Sequence, residues 1–336
     1  MDDFKKEFCN KIILVTGGTG TIGSELVRQL LKYEPKQLRV LSRDQNKQYN
    51  LAEETDHHPN LRLFIGDIRD RERLDLAFEN VDIIFHAAAL KHVPSCEYNP
   101  AEAVKTNIIG SQNVIDMARK HGVKKVIGIS TDKAVNPNNI MGTSKLMMER
   151  LFINANQYIT SIGTKFACVR FGNVAWASAS VLPIWAKQIE KNGEITITDA
   201  NMTRFIISTD QAVNLVLRAG LLMQGGEIFI LKMPSIKLGN LAKIFTKKYA
   251  PDRKIKIRNI GNRGGEKKHE ELIDISDLDR DIFDDKKMFI ITPPQPVYFM
   301  HKEKRIYDGF KKISNPKLVS FSSKKPSKTE ELIKFI

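Results

Sequence analysis

The chain has 336 residues, of which 42% are hydrophobic, and this is enough apolar content for one large domain or two modest ones. No run approaches the ~20 consecutive apolar residues of a membrane-spanning helix, and the charged start predicts no secretory signal, so we expect a cytoplasmic protein. The net charge of +14 is compatible with nucleic acid, an anionic membrane surface or an anionic small substrate, but no RNA-binding motif accompanies it, so we expect no nucleic-acid partner. Cys9, Cys96 and Cys168 lie far apart, which predicts small buried residues and no metal site.

The first predicted strand and helix enclose a glycine-rich turn. Residues 11–16 are apolar and β-branched, and Gly17, Gly20 and Gly23 follow at a Gly-x-x-Gly-x-x-Gly spacing before a helical pattern begins. Such glycines let the backbone approach a pyrophosphate, which rests on the free N–H groups of the helix N-terminus. We therefore predict a dinucleotide site with contacts from this turn: Gly17, Thr19, Gly20, Thr21 and Ile22.

The second predicted strand, 37–42, ends where the cofactor ribose is recognised. In this fold an acidic side chain at that end holds the ribose 2'-hydroxyl of NAD, whereas a basic side chain holds the 2'-phosphate of NADP. Ser42 and Arg43 come first, and Asp44 follows them. We predict NADP as the cofactor, with NAD bound through Asp44 as the alternative.

Strands alternate with helical patterns along the rest of the first half. Further strands are predicted at 61–65, 81–85, 123–130 and 165–170. The alternation predicts an α/β fold with a doubly wound parallel sheet of the Rossmann type, whose ligands lie beyond the carboxyl ends of the strands. The residues expected to contact the cofactor at these ends are Asp67, Ile68, Ala87, Ala88 and Ser130.

A methionine and a lysine occupy the positions at which short-chain dehydrogenases carry Tyr-x-x-x-Lys. The segment is Met141-Gly-Thr-Ser-Lys145, and methionine cannot take a proton from a sugar hydroxyl as tyrosine does. Asp132 and Lys133, at the end of the fifth predicted strand, supply an ionisable acid and base instead. We predict that acid/base catalysis lies with this pair and that burial and the positive cofactor ring lower the pKa of Lys133. Lys145 is predicted to bind the cofactor ribose and, through it, to belong to the catalytic residues as well.

The second half of the chain is expected to add a smaller C-terminal substrate lobe. Predicted elements at 211–222 and 227–231 return to the main sheet, whereas those at 194–198, 238–248 and 254–258 build the lobe. We predict the following division: 1–175 and about 205–235 form the Rossmann domain, about 176–204 and 236–292 form the substrate-binding lobe, and 293–336 form a basic arm over the lobe or a subunit contact.

These motifs together resemble those of the inverting UDP-N-acetylglucosamine 4,6-dehydratases of the extended short-chain dehydrogenase class. The resemblance covers about 11–272 and is most specific in Ser-Thr-Asp-Lys followed by Asn-Pro and Met-Gly-x-x-Lys, a form similar to the capsule-type 4,6-dehydratase/5-epimerases. It implies a homo-oligomer, dimer or hexamer, that takes a nucleotide sugar. It adds Thr131 to the catalytic residues, and it implies cofactor contacts from Lys91, Asn107 and Asn173, and substrate contacts from Lys91, Asn173, Thr203, Arg204, Arg263 and Glu266.

The resemblance also implies a reaction that serves surface polysaccharide or glycan precursor synthesis. Oxidation at C4 of the sugar acidifies C5–H, Lys133 takes the C5 proton, and Asp132 protonates the departing C6 hydroxyl, with inversion at C5. With no tyrosine, Asp132 is also the leading candidate to take the C4 hydroxyl proton. One segment departs from the family: 177–180 is Ala-Ser-Ala-Ser where Ser-Arg-Gly-Ser is usual, so an arginine near the substrate phosphates is missing. A nucleotide-sugar 4-epimerase and a non-catalytic dinucleotide-binding regulator are the alternative functions.

Overall fold

A computed structural model describes residues 2–157, 163–294, 305–316 and 321–327. Its strands are β1 Ile12–Thr16, β2 Gln37–Ser42, β3 Leu61–Ile65, β4 Ile83–His86, β5 Lys125–Ile129, β6 Lys165–Arg170, β7 Asn173–Val174, β8 Glu194–Ile197, β9 Thr203–Ile207, β10 Ile228–Leu231, β11 Ser235–Lys237, β12 Lys256–Asn259, β13 Ile282–Asp284, β14 Met288–Ile291 and β15 Lys311–Lys312. Its α-helices are α1 Asp2–Phe8, α2 Thr21–Leu31, α3 Gln45–Glu54, α4 Arg71–Phe78, α5 Val93–Tyr98, α6 Pro100–Ala103, α7 Gly110–Lys120, α8 Ile140–Ala155, α9 Val181–Asn192, α10 Thr209–Leu222 and α11 Leu238–Tyr249. A π-helical turn, Val104–Ile109, precedes α7, and single 3-10 turns lie at Asp132–Ala134 and Ile275–Asp277.

Among the described residues, ten strands form one sheet in the order β15-β13-β14-β10-β6-β5-β4-β1-β2-β3. Neighbours from β3 through β10 run parallel, which confirms the predicted doubly wound α/β fold. Beyond β10 the sheet continues with the antiparallel strands β14, β13 and β15, which the sequence analysis did not predict. Because the carboxyl ends of parallel strands share one edge, the segments that follow β1, β2, β4, β5 and β6 meet there.

Local sequence explains why the elements next to this edge form. β1 is a continuous apolar run whose last four residues are buried, as expected for a central strand of a parallel sheet. α2 follows the glycine turn directly and buries Leu26, Val27 and Leu30. α10 begins with a capping box in which Ser208 and Gln211 each accept a hydrogen bond from the other's backbone N–H. The glycine turn is therefore held between a buried strand and a buried helix face.

Apolar side chains form a core on each face of the large sheet and a third core elsewhere. One face packs against α2 and α10, with Leu26 and Val216 among the buried residues. The other packs against α4, α7 and α8, with Leu74 and Phe152 among them. The third core surrounds the fully buried Trp185 and draws mainly on α9, α11 and β8. This separate core agrees with the prediction of a smaller lobe. The bounds of the two domains and the role of the lobe in substrate binding stay predictions.

The described parts of the predicted C-terminal arm pack against the rest of the chain. β15 pairs with β13 at the edge of the large sheet. The buried Tyr307 hydroxyl donates to Glu227 Oε1 at 2.9 Å, and the Leu272 N–H donates to the Phe321 carbonyl at 3.0 Å. The remaining parts of the predicted arm lie outside the described residues: 295–304, 317–320 and 328–336.

Candidate active site

A cavity of about 670 Å³ opens at the carboxyl ends of the parallel strands. Its volume is typical of small-molecule and cofactor sites. The walls include the glycine turn, the ends of β2, β4, β5 and β6, and the loop 177–180. Most residues predicted to bind the cofactor line it: Gly17, Thr19, Gly20, Thr21, Ile22, Ser42, Arg43, Asp67, Ile68, Ala87, Ala88, Lys91, Ser130, Lys145 and Asn173.

The glycine turn has the shape that a pyrophosphate group requires. Gly17 has a φ of +67°, and a Cβ on it would lie 2.6 Å from the backbone nitrogen of Ala88. A Cβ on Gly23 would lie 2.3 Å from the Gly17 carbonyl oxygen. Both positions therefore need glycine. α2 begins at Thr21 without a side-chain cap, which leaves its first N–H groups for an anionic group.

The end of β2 offers a basic group to the cavity. Arg43 is 55% exposed, and its Nη1 lies 3.4 Å from Asp67 Oδ2. Asp44 instead caps α3, because its side chain accepts a hydrogen bond from the Lys47 N–H at 3.0 Å. Arg43, Asp44 and Lys47 all line the cavity, but the Asp44 carboxylate is already engaged by Lys47, whose Nζ lies 3.3 Å from Asp44 Oδ2.

Lys145 and Met141 form part of the cavity wall on α8. The Lys145 side chain is 6% exposed, and burial lowers its pKa to about 8. Its Nζ lies 3.3 Å from Met148 Sδ. Met141 is 3% exposed and packs with Cys96 and Ala103. The α8 side of the cavity therefore offers an ammonium group, and position 141 offers no hydroxyl that could accept a proton.

Asn107 does not line the cavity, although we expected it to contact the cofactor. It is 1% exposed within the π-helical turn. Its side chain accepts from the Leu90 N–H at 2.8 Å and donates to the Leu90 carbonyl at 3.0 Å and to Ser144 Oγ at 2.9 Å. These bonds tie the segment that carries Lys91 to α8, and a direct cofactor contact from Asn107 stays a prediction.

Three consecutive residues after β5 form a hydrogen-bonded group. Asp132 Oδ1 accepts from the Thr131 hydroxyl at 2.8 Å and from Lys133 Nζ at 3.0 Å. Thr131 and Lys133 line the cavity, whereas Asp132 is fully buried behind them and is not part of the wall. Asp132 Oδ2 has no hydrogen-bond partner among the described residues. Asp132 is therefore placed to exchange a proton with the cavity through Thr131 or Lys133.

The surroundings of Lys133 differ from what we expected. Its Nζ lies 3.4 Å from Asn173 Oδ1 and 3.7 Å from Glu270 Oε1. Burial lowers the pKa of Lys133, but the carboxylates of Asp132 and Glu270 raise it by more, so the pKa lies above its ordinary value of 10.5. The prediction that the pKa of Lys133 is lowered is therefore wrong, because it did not include the carboxylate of Glu270. Lys133 must give up a proton before it can act as a base.

Four residues expected to contact the sugar nucleotide are not part of the cavity wall: Thr203, Arg204, Arg263 and Glu266. Thr203 is buried at the start of β9, and Arg204 Nη1 donates to the Thr203 carbonyl at 2.8 Å. Arg263 is exposed, and Glu266 is half-buried on the same segment. Direct substrate contacts from these residues stay predictions.

The loop 177–180, which departs from the resembled family, closes one side of the cavity. Lys91 Nζ donates to the Ser178 carbonyl at 2.9 Å, and the Ser178 N–H donates to the Thr21 hydroxyl at 3.1 Å. Trp176 and Ala179 have φ values of +58° and +56°, in the left-handed region that is strained for residues with a Cβ. Ala179 thus keeps a glycine-like backbone at the position where the resembled family has glycine.

Sequence analysis missed Glu270, which is 2% exposed and faces Lys133. It lies within the stretch 11–272 that the resemblance covers, but a local pattern does not show which distant side chain a carboxylate meets. The lining residues that were not predicted to bind include Lys47, His92 and Thr106.

His86 is a structural residue that bonds to two buried hydroxyl groups. Its Nδ1 lies 2.7 Å from Thr16 Oγ1 and its Nε2 lies 3.0 Å from Ser111 Oγ. Burial lowers the pKa of His86 to about 3, so the ring is neutral. Within the described residues, no group of three or more side chains of the metal-ligating types is placed to hold a metal ion.

Residues 13–292 match a family model described as polysaccharide biosynthesis protein. An uncharacterized membrane protein of Methanocaldococcus jannaschii is 50% identical over 87% of this chain and 88% of its own length. Among the described helices of the present chain, none combines the length and apolar character that a membrane crossing requires.

Two similar relatives carry enzyme names, and one solved structure matches over nearly the whole chain. The UDP-N-acetylglucosamine 4,6-dehydratase (inverting) of Campylobacter jejuni is 47% identical over 80% of this chain and 79% of its own. The UDP-glucose 4-epimerase of Rickettsia canadensis is 41% identical over 81% of this chain and 80% of its own. The X-ray structure of Pen from Bacillus thuringiensis has a TM-score of 0.88 and 40% identity, and the match covers 97% of this chain and 98% of that one.

Proposed function

The chain belongs to the polysaccharide biosynthesis protein family, and we propose that within it the protein is a nucleotide-sugar 4,6-dehydratase that acts on UDP-N-acetylglucosamine and inverts C5. The observation that carries the proposal is the group Thr131, Asp132 and Lys133 at the cavity wall, near a methionine in place of tyrosine. The similarity to the Campylobacter jejuni enzyme supports the same substrate. We further propose a cytoplasmic homo-oligomer, dimer or hexamer, that serves surface polysaccharide or glycan precursor synthesis.

The reaction must remove the C5 proton and the C6 hydroxyl of a hexose. C5–H is not acidic until C4 is a ketone, and hydroxide is a poor leaving group until it is protonated. A bound nicotinamide dinucleotide supplies the redox chemistry at C4 and C6. Besides a group that takes the C4 hydroxyl proton, the protein must therefore supply a base at C5 and an acid at the C6 oxygen, each within hydrogen-bonding distance of its atom.

Lys133 and Asp132 can supply both groups by sharing one proton. In the resting pair that proton is on Lys133, because the neighbouring carboxylates raise its pKa. Transfer across the 3.0 Å from Lys133 Nζ to Asp132 Oδ1 creates a neutral amine and a neutral carboxylic acid in one step. The amine then takes the C5 proton, and the acid gives its proton to the C6 oxygen, which leaves as water. Both steps together restore the charged pair.

Thr131 is the proposed route for the proton of Asp132, because Asp132 itself does not reach the cavity. The Thr131 hydroxyl lines the cavity and lies 2.8 Å from Asp132 Oδ1. A hydroxyl can accept one proton while it donates another, so it passes a proton on without a net change of its own charge. Inversion then requires that C5 receive its new proton from the face opposite Lys133.

NADP is the cofactor that we propose. Arg43 and Lys47 line the cavity beyond β2, and Asp44 is engaged as the cap of α3. A guanidinium group binds phosphate oxygens in a bidentate, charge-assisted geometry, which suits a phosphate at the ribose 2'-position. Lys145 would donate to the ribose hydroxyls from the opposite wall.

A nucleotide-sugar 4-epimerase is the second candidate, and the similarity to the Rickettsia canadensis protein favours it. Epimerisation needs redox chemistry at C4 alone and, like dehydration, a group other than Met141 that accepts the C4 hydroxyl proton. It has no use for a base at C5. A non-catalytic regulator would tolerate Met141, but it would have no use for the buried pair of Asp132 and Lys133.

Incubation with UDP-N-acetylglucosamine and NADP in D2O, followed by proton NMR, separates these functions. We expect a 4-keto-6-deoxy sugar with deuterium at C5, whereas a C4 epimer or the absence of any product would contradict the proposal. Lys133→Ala should abolish product formation and leave NADP affinity unchanged. Lys120→Ala, at a lysine that is 57% exposed on α7, is the matched control and should behave as wild type.

A further inference from the structure

One buried carboxylate faces three cationic side chains behind the cavity wall. Glu270 Oε1 lies 3.7 Å from Lys133 Nζ and 3.9 Å from Arg204 Nε. Its Oε2 lies 3.9 Å from Lys267 Nζ and has no hydrogen-bond partner among the described residues. Because burial of an unpaired carboxylate is costly, Glu270 depends on these cations to stay ionised.

The backbone of Glu270 is fixed by a segment far along the chain. Its N–H donates to Ser323 Oγ at 2.8 Å, and its carbonyl accepts from the Ser323 N–H at 2.8 Å. Ser323 is fully buried, and its hydroxyl also lies 2.8 Å from Thr203 Oγ1. Ser323 therefore bonds to both Glu270 and Thr203, the residue before Arg204. These contacts fix the position of the Glu270 carboxylate relative to Lys133.

We infer that Glu270 is a positioning residue for the proposed reaction: it holds the ammonium group of Lys133 beside Asp132 and keeps on that pair the single proton that the two residues must share. The inference rests on the proposed function of the pair. The charged groups that face Lys133 are Asp132, Glu270 and Arg204. Those that face Glu270 are Lys133, Asp132, Arg204 and Lys267.

The charges of this cluster suit such a role. When Lys133 passes its proton to Asp132, the net charge of the cluster does not change, and Glu270 keeps Arg204 and Lys267 as cationic neighbours. Burial raises the pKa of Glu270 above its ordinary value, while the charges of Arg204 and Lys267 act in the opposite direction and favour its ionised form when Lys133 is neutral. Its negative charge acts in the resting state, where it favours the protonated lysine and prevents loss of the shared proton to solvent.

The test measures the ionisation of Lys133 directly and needs no substrate. Proton–carbon NMR of protein with 13C-labelled lysine follows each Cε signal from pH 7 to pH 10, and Lys133→Ala identifies the signal of Lys133. In the wild type we expect this signal to stay at its protonated position throughout. Glu270→Gln should lower the titration midpoint by ~1 pH unit or more, as expected when an opposite charge within about 4–6 Å is removed. Glu270→Asp keeps the charge and should give a smaller shift.

Glu271→Gln is the matched control, since the neighbouring carboxylate bonds to Asn136 Nδ2 at 2.9 Å and not to Lys133. A role in folding alone would lower the melting temperature of Glu270→Gln and leave the titration of Lys133 in place, and that result would overturn the inference. If Glu270→Gln does not fold, an unshifted Lys133 signal in Glu270→Asp together with wild-type turnover would also overturn the inference. A wild type that forms no 4-keto-6-deoxy sugar would instead overturn the proposed function, whatever the titration shows.

Discussion

Lys145→Met should make the protein more stable at neutral pH, and the gain should disappear at high pH. Burial lowers the pKa of Lys145 from 10.5 to about 8. At about 1.4 kcal/mol for each pH unit, the buried ammonium costs about 3 kcal/mol of folding free energy at pH 7, where the lysine is charged in both the folded and unfolded states. As the pH rises from 8 to 10.5 the folded protein loses the proton first, so this cost falls away. Methionine has a similar length and carries no charge.

Urea unfolding of both proteins, followed by circular dichroism, measures the effect at pH 7 and pH 10. We expect Lys145→Met to be more stable by up to ~3 kcal/mol at pH 7 and the difference to shrink to ~1 kcal/mol or less at pH 10. Lys187→Met, at an exposed lysine on α9, is the control and should show no such change with pH. A Lys145→Met effect that is the same at both pH values would refute the buried-charge reasoning.

Three further substitutions test the cofactor and substrate ends of the cavity. Arg43→Ala should narrow the preference for NADP over NAD by ~1.5–3 kcal/mol in binding titrations, the range for a hydrogen bond to a charged group, and a wild type that prefers NAD would contradict the assignment. Ser178→Arg should add a positive charge near the substrate phosphates and lower the Michaelis constant for the nucleotide sugar with little change in kcat. An unchanged Michaelis constant would show that the added arginine is not needed, because Lys91, at the Ser178 carbonyl, already supplies a positive charge there. Ala179→Gly should relieve ~1–2 kcal/mol of backbone strain in the folded protein and lose ~0.4–1 kcal/mol because the unfolded chain becomes more flexible. The melting temperature should therefore rise, and a lower melting temperature would argue against strain at Ala179.

The parallel part of the sheet could be predicted from sequence because each strand is marked by its own residues. The predicted strand 37–42 and the predicted strand 165–170 coincide with β2 and β6. The antiparallel strands β13 and β14 are only three and four residues long; β14 is placed by pairing with β10, and β13 by pairing with β14. Pairing between distant segments leaves no periodic pattern in either one, so the extension of the sheet could not be read from the chain.

Some features of the candidate site could likewise be predicted from the sequence, and others depend on contacts between distant segments. Residues just after strand ends, such as Arg43 and Ser130, line the cavity as expected, because the fold fixes where strand ends go. The burial of Asp132 was not predicted, because it depends on Gly172 and other residues that cover it from the end of β6. The pKa of Lys133 was predicted with the wrong sign for a similar reason, since Glu270 reaches it from a distant segment.

Because position 141 is methionine, we expect the Thr131 hydroxyl to be needed for proton transfer. With no tyrosine, the C4 hydroxyl must give its proton to another group on the cavity wall, and Thr131 is a wall residue that contacts a buried carboxylate, 2.8 Å from Asp132 Oδ1. The C4 proton would then reach Asp132 across this contact, one proton would leave the pair of Asp132 and Lys133 for solvent before elimination, and the C6 proton would cross the same contact in the opposite direction. Thr131→Val keeps the shape and removes the hydroxyl, so kcat should fall by at least ~100-fold, as for loss of a general acid or base, while NADP affinity is unchanged. Thr131→Ser should retain most of the activity. Turnover of the valine variant within a few-fold of wild type would show that Asp132 exchanges its proton by another path.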